Sequence, residues 1–484
     1  MPAEEVIVVG GGVAGIACAV RLAAAGVRVR LIETRKKLGG RATSFRDVRS
    51  GMWLDNCQHV VLGCCTNYLD LMRRLGSIDL FRWSVEQHWV ESGGRTSRIR
   101  PGLLPAPLHF AGSVLRAKFL SSRDVLALGR AARAIMCAER QTHESETFGT
   151  FLTRLGQSDD LVRRFWAPVV VSACNLAVER VSAAAAIQVF QEGFFAHPAA
   201  ASIGLPTVPL MRLYDGAAEL LASTGGCVEL GCGVTRVGAG SVMTNDGREF
   251  RADRVVCALS VERAARAIEP GLFDADPRFA PLARFEFSPI LGVHLSFDRP
   301  VLELPHVVLV DRPTQWLFRK SADGRDVHAV VSAADAWIEL DEEEIARRVL
   351  QDIHACFPHK WGSEHPTCGS KSVNGPQLLA ARAVKEKRAT FALVPGVEAI
   401  RPAATGPSGL ILAGDYCATG WPATMEGATR SGYRAAEAVL GVRAGGLAVA
   451  DLSATWLARL IGLRTDRGST PPIVDNLSLR VQER

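Results

Sequence analysis

The first 33 residues constrain the possible folds more than any other part of the chain. A β-branched apolar run at 6–9 predicts a strand buried on both faces. It leads directly into a glycine-rich turn at 10–15, spaced G-x-G-x-x-G, which opens a helix of small residues. A second strand at 27–32 follows and stops at the acidic residue Glu33. Strand, glycine turn, helix, strand and acid in this order predict a βαβ unit that binds a dinucleotide.

Each position of this unit has a physical task in dinucleotide binding. Gly10 permits the tight turn, Gly12 lets the backbone approach a pyrophosphate, and Gly15 lets helix and strand pack closely. The helix that begins around Ala14 offers free N–H groups and the positive end of its dipole to the phosphates. Glu33, eighteen residues after Gly15, can accept hydrogen bonds from both hydroxyls of the adenosine ribose.

A second glycine motif follows the acid and separates flavin from nicotinamide binding. Glu33 is followed by Arg35 and then by Gly39, Gly40 and Arg41. This arrangement resembles the E-x5-G-G-R extension of FAD-dependent amine oxidases, phytoene desaturases and protoporphyrinogen oxidases. In those families the glycine pair and the arginine hold the FAD pyrophosphate. The resemblance therefore implies tightly bound FAD and a cofactor-binding role for these residues.

The C-terminal part of the chain carries a motif expected to close the same site. Residues 409–413 predict a buried strand that ends in Gly414 and Asp415, and a helix opens around residue 423. These residues resemble the C-terminal flavin motif of the same families, in which the aspartate binds the ribityl chain and the N–H matching Met425 contacts the flavin. A helix N-terminus favours the negative charge of a reduced flavin. We therefore expect the glycine turn and this helix to meet in the fold.

The middle of the chain fits a discontinuous domain. Short strands with hairpin punctuation lie within 227–258, and by the same resemblance Val234 lies against the adenine. The predicted fold class is α/β, with a Rossmann-like FAD-binding domain of the GR2 type and an inserted α+β substrate-binding domain. The predicted ranges are 1–95, 216–284 and 395–445 for the FAD-binding domain, 96–215 and 285–394 for the substrate-binding domain, and 446–484 for a C-terminal helix and tail.

One loop resembles a particular group within these flavoprotein families. Residues 55–65 read D-N-C-Q-H-V-V-L-G-C-C and resemble the D-N-G-Q-H-V-x-L-G-C-Y segment of bacterial squalene-associated desaturases, the hydroxysqualene dehydroxylases. The resemblance extends over about residues 5–442 and implies reduction of hydroxysqualene, a linear isoprenoid, to squalene by reduced FAD in squalene and hopanoid biosynthesis. Cys57 and Cys65 replace the usual Gly and Tyr. Loss of that Gly is expected to affect the loop backbone.

The same loop supplies the candidate catalytic residues. Departure of an allylic hydroxyl needs an acid or a hydrogen-bond donor, and His59 is the first candidate, with Asp55 and Asn56 as orienting or polar partners. The allylic cation left behind must be protected from water. Aromatic residues of the insertions could wall such a pocket or serve as ordinary core. His59 and Asp55 also fit purely structural roles, so both interpretations stay open.

Three other functions stay open from the sequence, as does the reductant of the flavin. A carotenoid-type desaturase would use the same fold in the oxidative direction. An amine oxidase is less favoured, because that group usually has a lysine on the strand entering the flavin site and residues 285–298 contain none. A prenyl-lipid carrier of the GDP dissociation inhibitor type would share the architecture, but its flavin motifs would be eroded, whereas both are intact here.

Charge and hydropathy exclude several classes of protein. The 56 Lys and Arg and the 50 Asp and Glu are scattered rather than gathered in a basic stripe, which argues against nucleic-acid binding. The apolar stretch at 6–20 is short and interrupted by glycines, so neither a transmembrane helix nor a signal peptide is predicted. The 12 cysteines lack metal-ligand spacing, so no metal site is predicted, and they fit buried thiols in a reducing cytoplasm.

The C-terminal segment has two interpretations. Residues 451–463 place apolar side chains at near-helical spacing, with arginines close by. One interpretation is a peripheral helix on a membrane surface, through which the substrate enters. The other is a helix packed back on the FAD-binding domain. The polar stretch at 465–484 predicts a disordered or partner-docking tail.

Overall fold

The strands and helices come from a computed structural model that describes residues 5–361 and 375–463. The strands are β1 Glu5–Val9, β2 Arg28–Glu33, β3 Ser44–Arg46, β4 Trp53–Asp55, β5 Val61–Leu62, β6 Phe81–Ser84, β7 Gln87–Val90, β8 Thr96–Ile99, β9 Ile203–Pro206, β10 Cys227–Leu230, β11 Val234–Val237, β12 Ser241–Thr244, β13 Glu249–Arg251, β14 Arg254–Cys257, β15 Phe287–Phe297, β16 His306–Leu309, β17 Trp316–Arg319, β18 Asp326–Ser332, β19 Leu378–Phe391 and β20 Ile411–Leu412. The α-helices are α1 Val13–Ala24, α2 Thr66–Arg74, α3 Ala111–Val114, α4 Ser122–Cys137, α5 Phe148–Arg154, α6 Asp159–Leu161, α7 Ala167–Cys174, α8 Ala183–Phe190, α9 Gly216–Ala222, α10 Val261–Ala267, α11 Pro270–Ala275, α12 Glu342–Cys356, α13 Met425–Leu440 and α14 Trp456–Ile461.

A five-stranded parallel sheet forms the first layer, in the order β10-β2-β1-β14-β20. The central strand β1 is buried on both faces, because Val6 and Val8 enter one apolar cluster while Ile7 and Val9 enter another. Parallel sheets of this kind are covered by helices on both sides. The predicted βαβ unit is therefore confirmed, with the second strand at Arg28–Glu33.

A seven-stranded mixed sheet forms the second large layer, in the order β19-β15-β18-β17-β16-β7-β8. Its pairs are antiparallel except for β16 with β7. One face packs on α12, where Leu291, Val293 and Ile353 are buried in a common cluster. This sheet carries the strands β15, β17 and β18, which support the loop at 55–59.

The strand pairing indicates where the boundaries of the discontinuous FAD-binding domain lie. All five strands of the parallel sheet fall within 1–95, 216–284 and 395–445. The prediction that the first range extends to 95 needs correction, because β7 and β8 are hydrogen-bonded into the seven-stranded sheet. Backbone hydrogen bonding shows which sheet a strand belongs to, whereas the position of the strand along the chain does not. We propose that the first segment of the FAD-binding domain ends near residue 86.

A helical layer built from α4–α8 packs beside both sheets. Its interior is aromatic: the rings of Trp166 and Phe190 lie edge to face at 4.9 Å, and Phe148 packs against both. Two short π-helical segments, Val162–Trp166 and Gln191–Phe195, carry Trp166 and the neighbouring rings of Phe165, Phe194 and Phe195. Most aromatic residues of the insertions are therefore core, and the partly exposed rings lie at the edge of that core.

The C-terminal helix is shorter than the sequence pattern predicted, and it packs elsewhere. Only Trp456–Ile461 is helical. Ala458 is buried against Met136 of α4 and Ala196, so the helix packs on the helical layer rather than on the parallel sheet. Its other face leaves Trp456 64% and Leu460 74% exposed. Within 5–361 and 375–463, no helix is long and apolar enough to cross a membrane. The tail predicted at 465–484 lies outside the described residues.

Candidate functional site

The glycine turn after β1 is built for close backbone approach. A Cβ at Gly15 would lie 1.9 Å from the Gly10 carbonyl oxygen, so only glycine lets α1 pack against β1 there. A Cβ at Gly12 would meet nothing closer than the Gly40 Cα at 4.0 Å. The space beside Gly12 is therefore open, as the approach of a pyrophosphate requires.

Glu33 lies at the C-terminal end of β2, beside the same turn. Its buried carboxylate accepts hydrogen bonds from the N–H groups of Gly11 at 2.7 Å and Arg35 at 2.8 Å. A cavity of about 210 Å³ borders Glu33 and is also lined by Val234 and Asn245. Glu33 and Val234, which were predicted to face the ribose and the adenine, thus share one cavity.

The second glycine motif lies directly on the first. The N–H of Gly39 donates to the Gly11 carbonyl at 2.8 Å, and a Cβ at Gly40 would lie 2.9 Å from the Gly12 Cα. The Arg35 guanidinium donates to the Gly40 carbonyl at 2.9 Å. The two motifs therefore form one backbone surface around the open space at Gly12.

Arg41 and Asp415 join the two distant parts of the predicted site. The guanidinium lies 2.6 Å from the Asp415 carboxylate and also donates to the Ala389 carbonyl at 2.9 Å. Burial would lower the pKa of Arg41, but Asp415 outweighs it and the net pKa is raised. The arginine therefore stays charged and holds the aspartate in place beside the glycine surface.

Helix α13 begins where the sequence motif placed it. Met425 is its first residue, and the side chain of Thr424 caps the helix by accepting an N–H from the first turn. The packing of α13 on α1 is close, since a Cβ at Gly432 would lie 2.3 Å from the Ala14 carbonyl oxygen. The prediction that the glycine turn and this helix meet is confirmed. Free N–H groups of the first turn, including that of Met425, are available to an anionic ligand.

The carboxylate of Asp55 is fully engaged by the protein. One oxygen accepts from the Ser44 hydroxyl at 2.6 Å, and the other lies 2.8 Å from the Lys320 ammonium. Burial raises its pKa, but Lys320 and these hydrogen bonds outweigh that effect and hold the pKa below its usual value. Asp55 is therefore an ionised partner of Lys320, which fits a structural or orienting role better than proton donation.

Asn56 and Cys57 connect this loop to its two neighbours. The Asn56 side chain donates to the Arg41 carbonyl, so it supports the glycine-arginine segment. Cys57 does not adopt a left-handed conformation, and its buried side chain packs with Phe318 and Val330. Burial raises the pKa of this thiol to about 12. The expectation that loss of the family's Gly affects the backbone finds no support, because no strained φ is present at Cys57.

His59 lies at the end of the loop and is half-buried. Its Nδ1 lies 3.1 Å from the Cys57 carbonyl oxygen, which can only accept, so Nδ1 carries the proton. The other ring nitrogen, Nε2, is then the group available to a ligand. Burial lowers the pKa of His59 and outweighs the opposing effect of the Cys57 carbonyl. The neutral ring is favoured near pH 7.

A protein-family model covers almost the whole chain. Residues 13–440 match the family described as flavin containing amine oxidoreductase. The chain belongs to this family. It is an FAD-dependent oxidoreductase with a Rossmann-like flavin-binding fold, as the motifs predicted. Membership of an oxidoreductase family favours an enzyme over the prenyl-lipid carrier.

Curated relatives of this flavoprotein span most of its length. Hydroxysqualene dehydroxylases of Sinorhizobium fredii and Rhodopseudomonas palustris are each 28% identical, over 90% of this chain and 98% of theirs. The 15-cis-phytoene desaturase of Synechococcus elongatus is 24% identical, over 90% of this chain and 96% of its own.

Solved structures share the fold of this flavoprotein. An oxidoreductase from Methanosarcina mazei superposes with a TM-score of 0.66 at 16% identity, covering 90% of this chain and 100% of its own. Cyclohexylamine oxidase from Brevibacterium oxydans gives a TM-score of 0.64 at 19% identity, covering 91% and 99%. At these identities the likeness concerns the fold alone.

Three residues at the site escaped the sequence analysis. Glu426, 1% exposed, accepts N–H groups of Asn67 and Tyr68 and so joins α13 to the start of α2. Lys320 and His294 contact the 55–59 loop from the seven-stranded sheet. An acid in the first helical turn usually indicates only a favourable dipole interaction, and no local pattern indicates the distant partners of Lys320 and His294.

Proposed function

We propose that this flavoprotein reduces hydroxysqualene to squalene. The observation that carries the proposal is the position of the 55–59 loop. It contacts Arg41 of the flavin motifs through Asn56, and through Cys57 it contacts an apolar cluster that includes Phe318. A polar donor at the border between a flavin and an apolar surface is what removal of a hydroxyl from a hydrocarbon chain requires. The named relatives at 28% identity support the same substrate class.

The flavin-binding residues of this proposal form one continuous set. The open space at Gly12 and the cavity beside Glu33 fit the pyrophosphate and the adenosine half, and the start of α13 fits the flavin ring. The residues proposed to hold FAD are Gly10, Gly12, Ala14, Gly15, Glu33, Arg35, Gly39, Gly40, Arg41, Val234, Gly414, Asp415 and Met425. When bound and reduced, FAD supplies hydride chemistry at this place.

The protein's own task is to release the hydroxyl and to keep water away. His59 is the proposed donor: a protonated Nε2 can give its proton to the departing hydroxyl while Nδ1–H stays on the Cys57 carbonyl. Asn56 anchors the loop by donating a hydrogen bond to the Arg41 carbonyl, and Asp55 anchors it by an ion pair with Lys320. The apolar side chains around Cys57 exclude water that would recapture an allylic cation.

One experiment tests this function directly. The purified protein is photoreduced without oxygen and mixed first with hydroxysqualene and then, in a separate sample, with phytoene. We expect reoxidation of the flavin together with squalene formation in the first sample only. No squalene and no reoxidation with hydroxysqualene would overturn the proposal.

A carotenoid-type desaturase is the second candidate, favoured by the relatives named 15-cis-phytoene desaturase. It would run in the opposite direction, with oxidised flavin accepting hydride from the substrate. The oxidised protein should then bleach when mixed with phytoene under anaerobic conditions. Flavin reduction by phytoene would favour this candidate over the first.

We also propose peripheral contact with a lipid surface, through which such a substrate would enter. The exposed Trp456 and Leu460 lie next to the loop that carries the fully exposed Leu103, because Thr455 donates to the Ala106 carbonyl. Helix α4 packs against α14, and its residues Arg130 and Arg133 are exposed. Apolar side chains flanked by basic residues are typical of interfacial binding to anionic lipid.

A further inference from the structure

Residues of the seven-stranded sheet and of the turn between β17 and β18 contact the loop at 55–59. The Lys320 ammonium, at the start of the turn between β17 and β18, lies 2.8 Å from Asp55 and 3.2 Å from the Gln58 side-chain oxygen. These two contacts are on either side of Cys57, whose carbonyl accepts from His59. The Lys320 side chain therefore contacts the loop on both sides of Cys57, whose carbonyl holds the His59 imidazole.

Strand β15 provides a second support for the same segment. The His294 Nε2–H donates to the Asp55 carbonyl at 2.9 Å. The ring of His294 stacks on that of His328 at 3.9 Å, and His328 is fully buried. A Cβ at Gly292 would lie 2.7 Å from His328 Nε2 and 3.3 Å from the Asn56 carbonyl oxygen. The loop backbone thus rests against the strand without room for an added side chain.

We propose that Lys320 is a positioning residue for the reaction: by holding Asp55 and Gln58 it sets the orientation of His59. This inference rests on the proposed function, because it assigns His59 a role in catalysis. In this role Lys320 acts through its contacts with the loop. His294 contacts the backbone carbonyl of Asp55, and Gly292 lies close to that of Asn56. The Lys320 ammonium instead contacts the side chains of Asp55 and Gln58.

The test compares Lys320→Met with Lys320→Arg and with Lys387→Met. Lys387, on the edge strand β19, makes an ion pair of the same length, 2.8 Å, with Glu339, and both side chains are exposed. In each FAD-loaded variant, kcat and KM for hydroxysqualene are measured separately. We expect Lys320→Met to lower kcat by about 100-fold with little change in KM, since small misplacement of a reacting group has such an effect. Lys320→Arg should recover most of the loss, and Lys387→Met should match the wild type.

A second measurement does not depend on turnover. The imidazole signals of the 11 histidines are recorded by NMR with labelled histidine, and the His59 signal is assigned from its absence in His59→Asn. We expect the His59 signal to shift in Lys320→Met and to return in Lys320→Arg. Because Lys320→Met leaves Asp55 unpaired and could fail to fold, the double variant Lys320→Met with Asp55→Asn is measured beside it.

The outcomes separate this inference from the proposed function. An unshifted His59 signal in folded Lys320→Met, or a kcat within about two-fold of wild type, would overturn the positioning role. Activity lost only in proportion to lost FAD would overturn it as well. If the wild type converts neither hydroxysqualene nor phytoene, the proposed function fails, while the NMR comparison still decides whether Lys320 orients His59.

Discussion

At the residue scale, the proposed flavin site depends on two glycines for different reasons. Gly15 has no side chain because the Gly10 carbonyl oxygen occupies the position of its Cβ, whereas the space next to Gly12 is free of protein atoms. Gly15 therefore serves packing, and Gly12 is proposed to let the pyrophosphate approach the backbone. A single added methyl group can distinguish these roles.

We expect Gly12→Ala to fold with wild-type stability and to lose FAD, because the new Cβ fills the open space without touching the protein. Gly15→Ala should lower the free energy of unfolding by about 1–3 kcal/mol, since its Cβ overlaps the Gly10 carbonyl. Flavin absorbance of the purified proteins and denaturant titration measure the two effects. Full FAD content in Gly12→Ala would contradict the proposed pyrophosphate site.

The charge state of His59 gives the pH dependence of the proposed reaction. Burial lowers its pKa below the usual 6.5, so the protonated donor is present at acid pH and is lost as pH rises through that lowered pKa. We expect kcat to fall with rising pH below 6.5 in the wild type. His59→Gln should lower kcat by about 10²–10⁴-fold and remove this step from the pH profile. An identical profile in the variant would show that another group donates the proton.

At the element scale, the site requires α1 and α13 to pack unusually closely. Gly432 faces the Ala14 carbonyl oxygen, and the side-chain hydroxyl of its neighbour Ser431 accepts the Gly414 N–H at 2.8 Å. One turn of α13 thus fixes both the first helix and the residue before Asp415. The position of the start of α13, which is proposed to face the flavin, follows from this packing.

We expect Gly432→Ala to lower the free energy of unfolding by about 1–3 kcal/mol and to reduce FAD content, because its Cβ would lie 2.3 Å from the Ala14 carbonyl oxygen. Gly129→Ala is the matched control, since Gly129 is exposed in α4 and its Cβ would meet nothing within 4 Å. That control should gain about 0.5–1 kcal/mol from helix propensity. Denaturant titrations measure both, and equal stabilities would show that α1 can move away from α13.

At the scale of the whole molecule, the segment after α13 connects helices α1 and α2 with the helical layer. Leu447 accepts from Arg21 of α1, Val449 pairs with Asn67 of α2, and Thr455 binds the helical layer. The exposed side chains of α14 are therefore held at a defined place beside the helical layer. A fixed apolar edge of this kind suits contact with a lipid surface.

We expect the double variant Trp456→Ser with Leu460→Ser to bind anionic vesicles several-fold more weakly than wild type, because each exposed apolar side chain contributes to interfacial binding. Leu379→Ser is the control: Leu379 is 67% exposed on the edge strand β19, away from α14. Co-sedimentation with vesicles measures binding, and flavin absorbance confirms folding. Equal binding by the wild type and the double variant would contradict the proposed contact.

Local patterns predicted the flavin motifs well and the supports of the loop not at all. The G-x-G-x-x-G turn, Glu33 and Asp415 were found because each lies at a strand end with fixed spacing to its neighbours. Lys320, His294 and Glu426 were missed because their partners are distant in sequence, as with Lys320 and Asp55. Such pairs follow from sheet order, which periodicity does not encode.

The sequence by itself determined the βαβ unit, the second glycine motif and the capped start of α13, because these depend on hydrogen bonds and backbone angles within a few residues. Only the tertiary structure decided that β7 and β8 pair into the seven-stranded sheet, that α14 packs on α4, and that Lys320 engages Asp55. Those features arise from burial and pairing between distant segments. Their free energy depends on the whole assembled core, so no short stretch of sequence contains it.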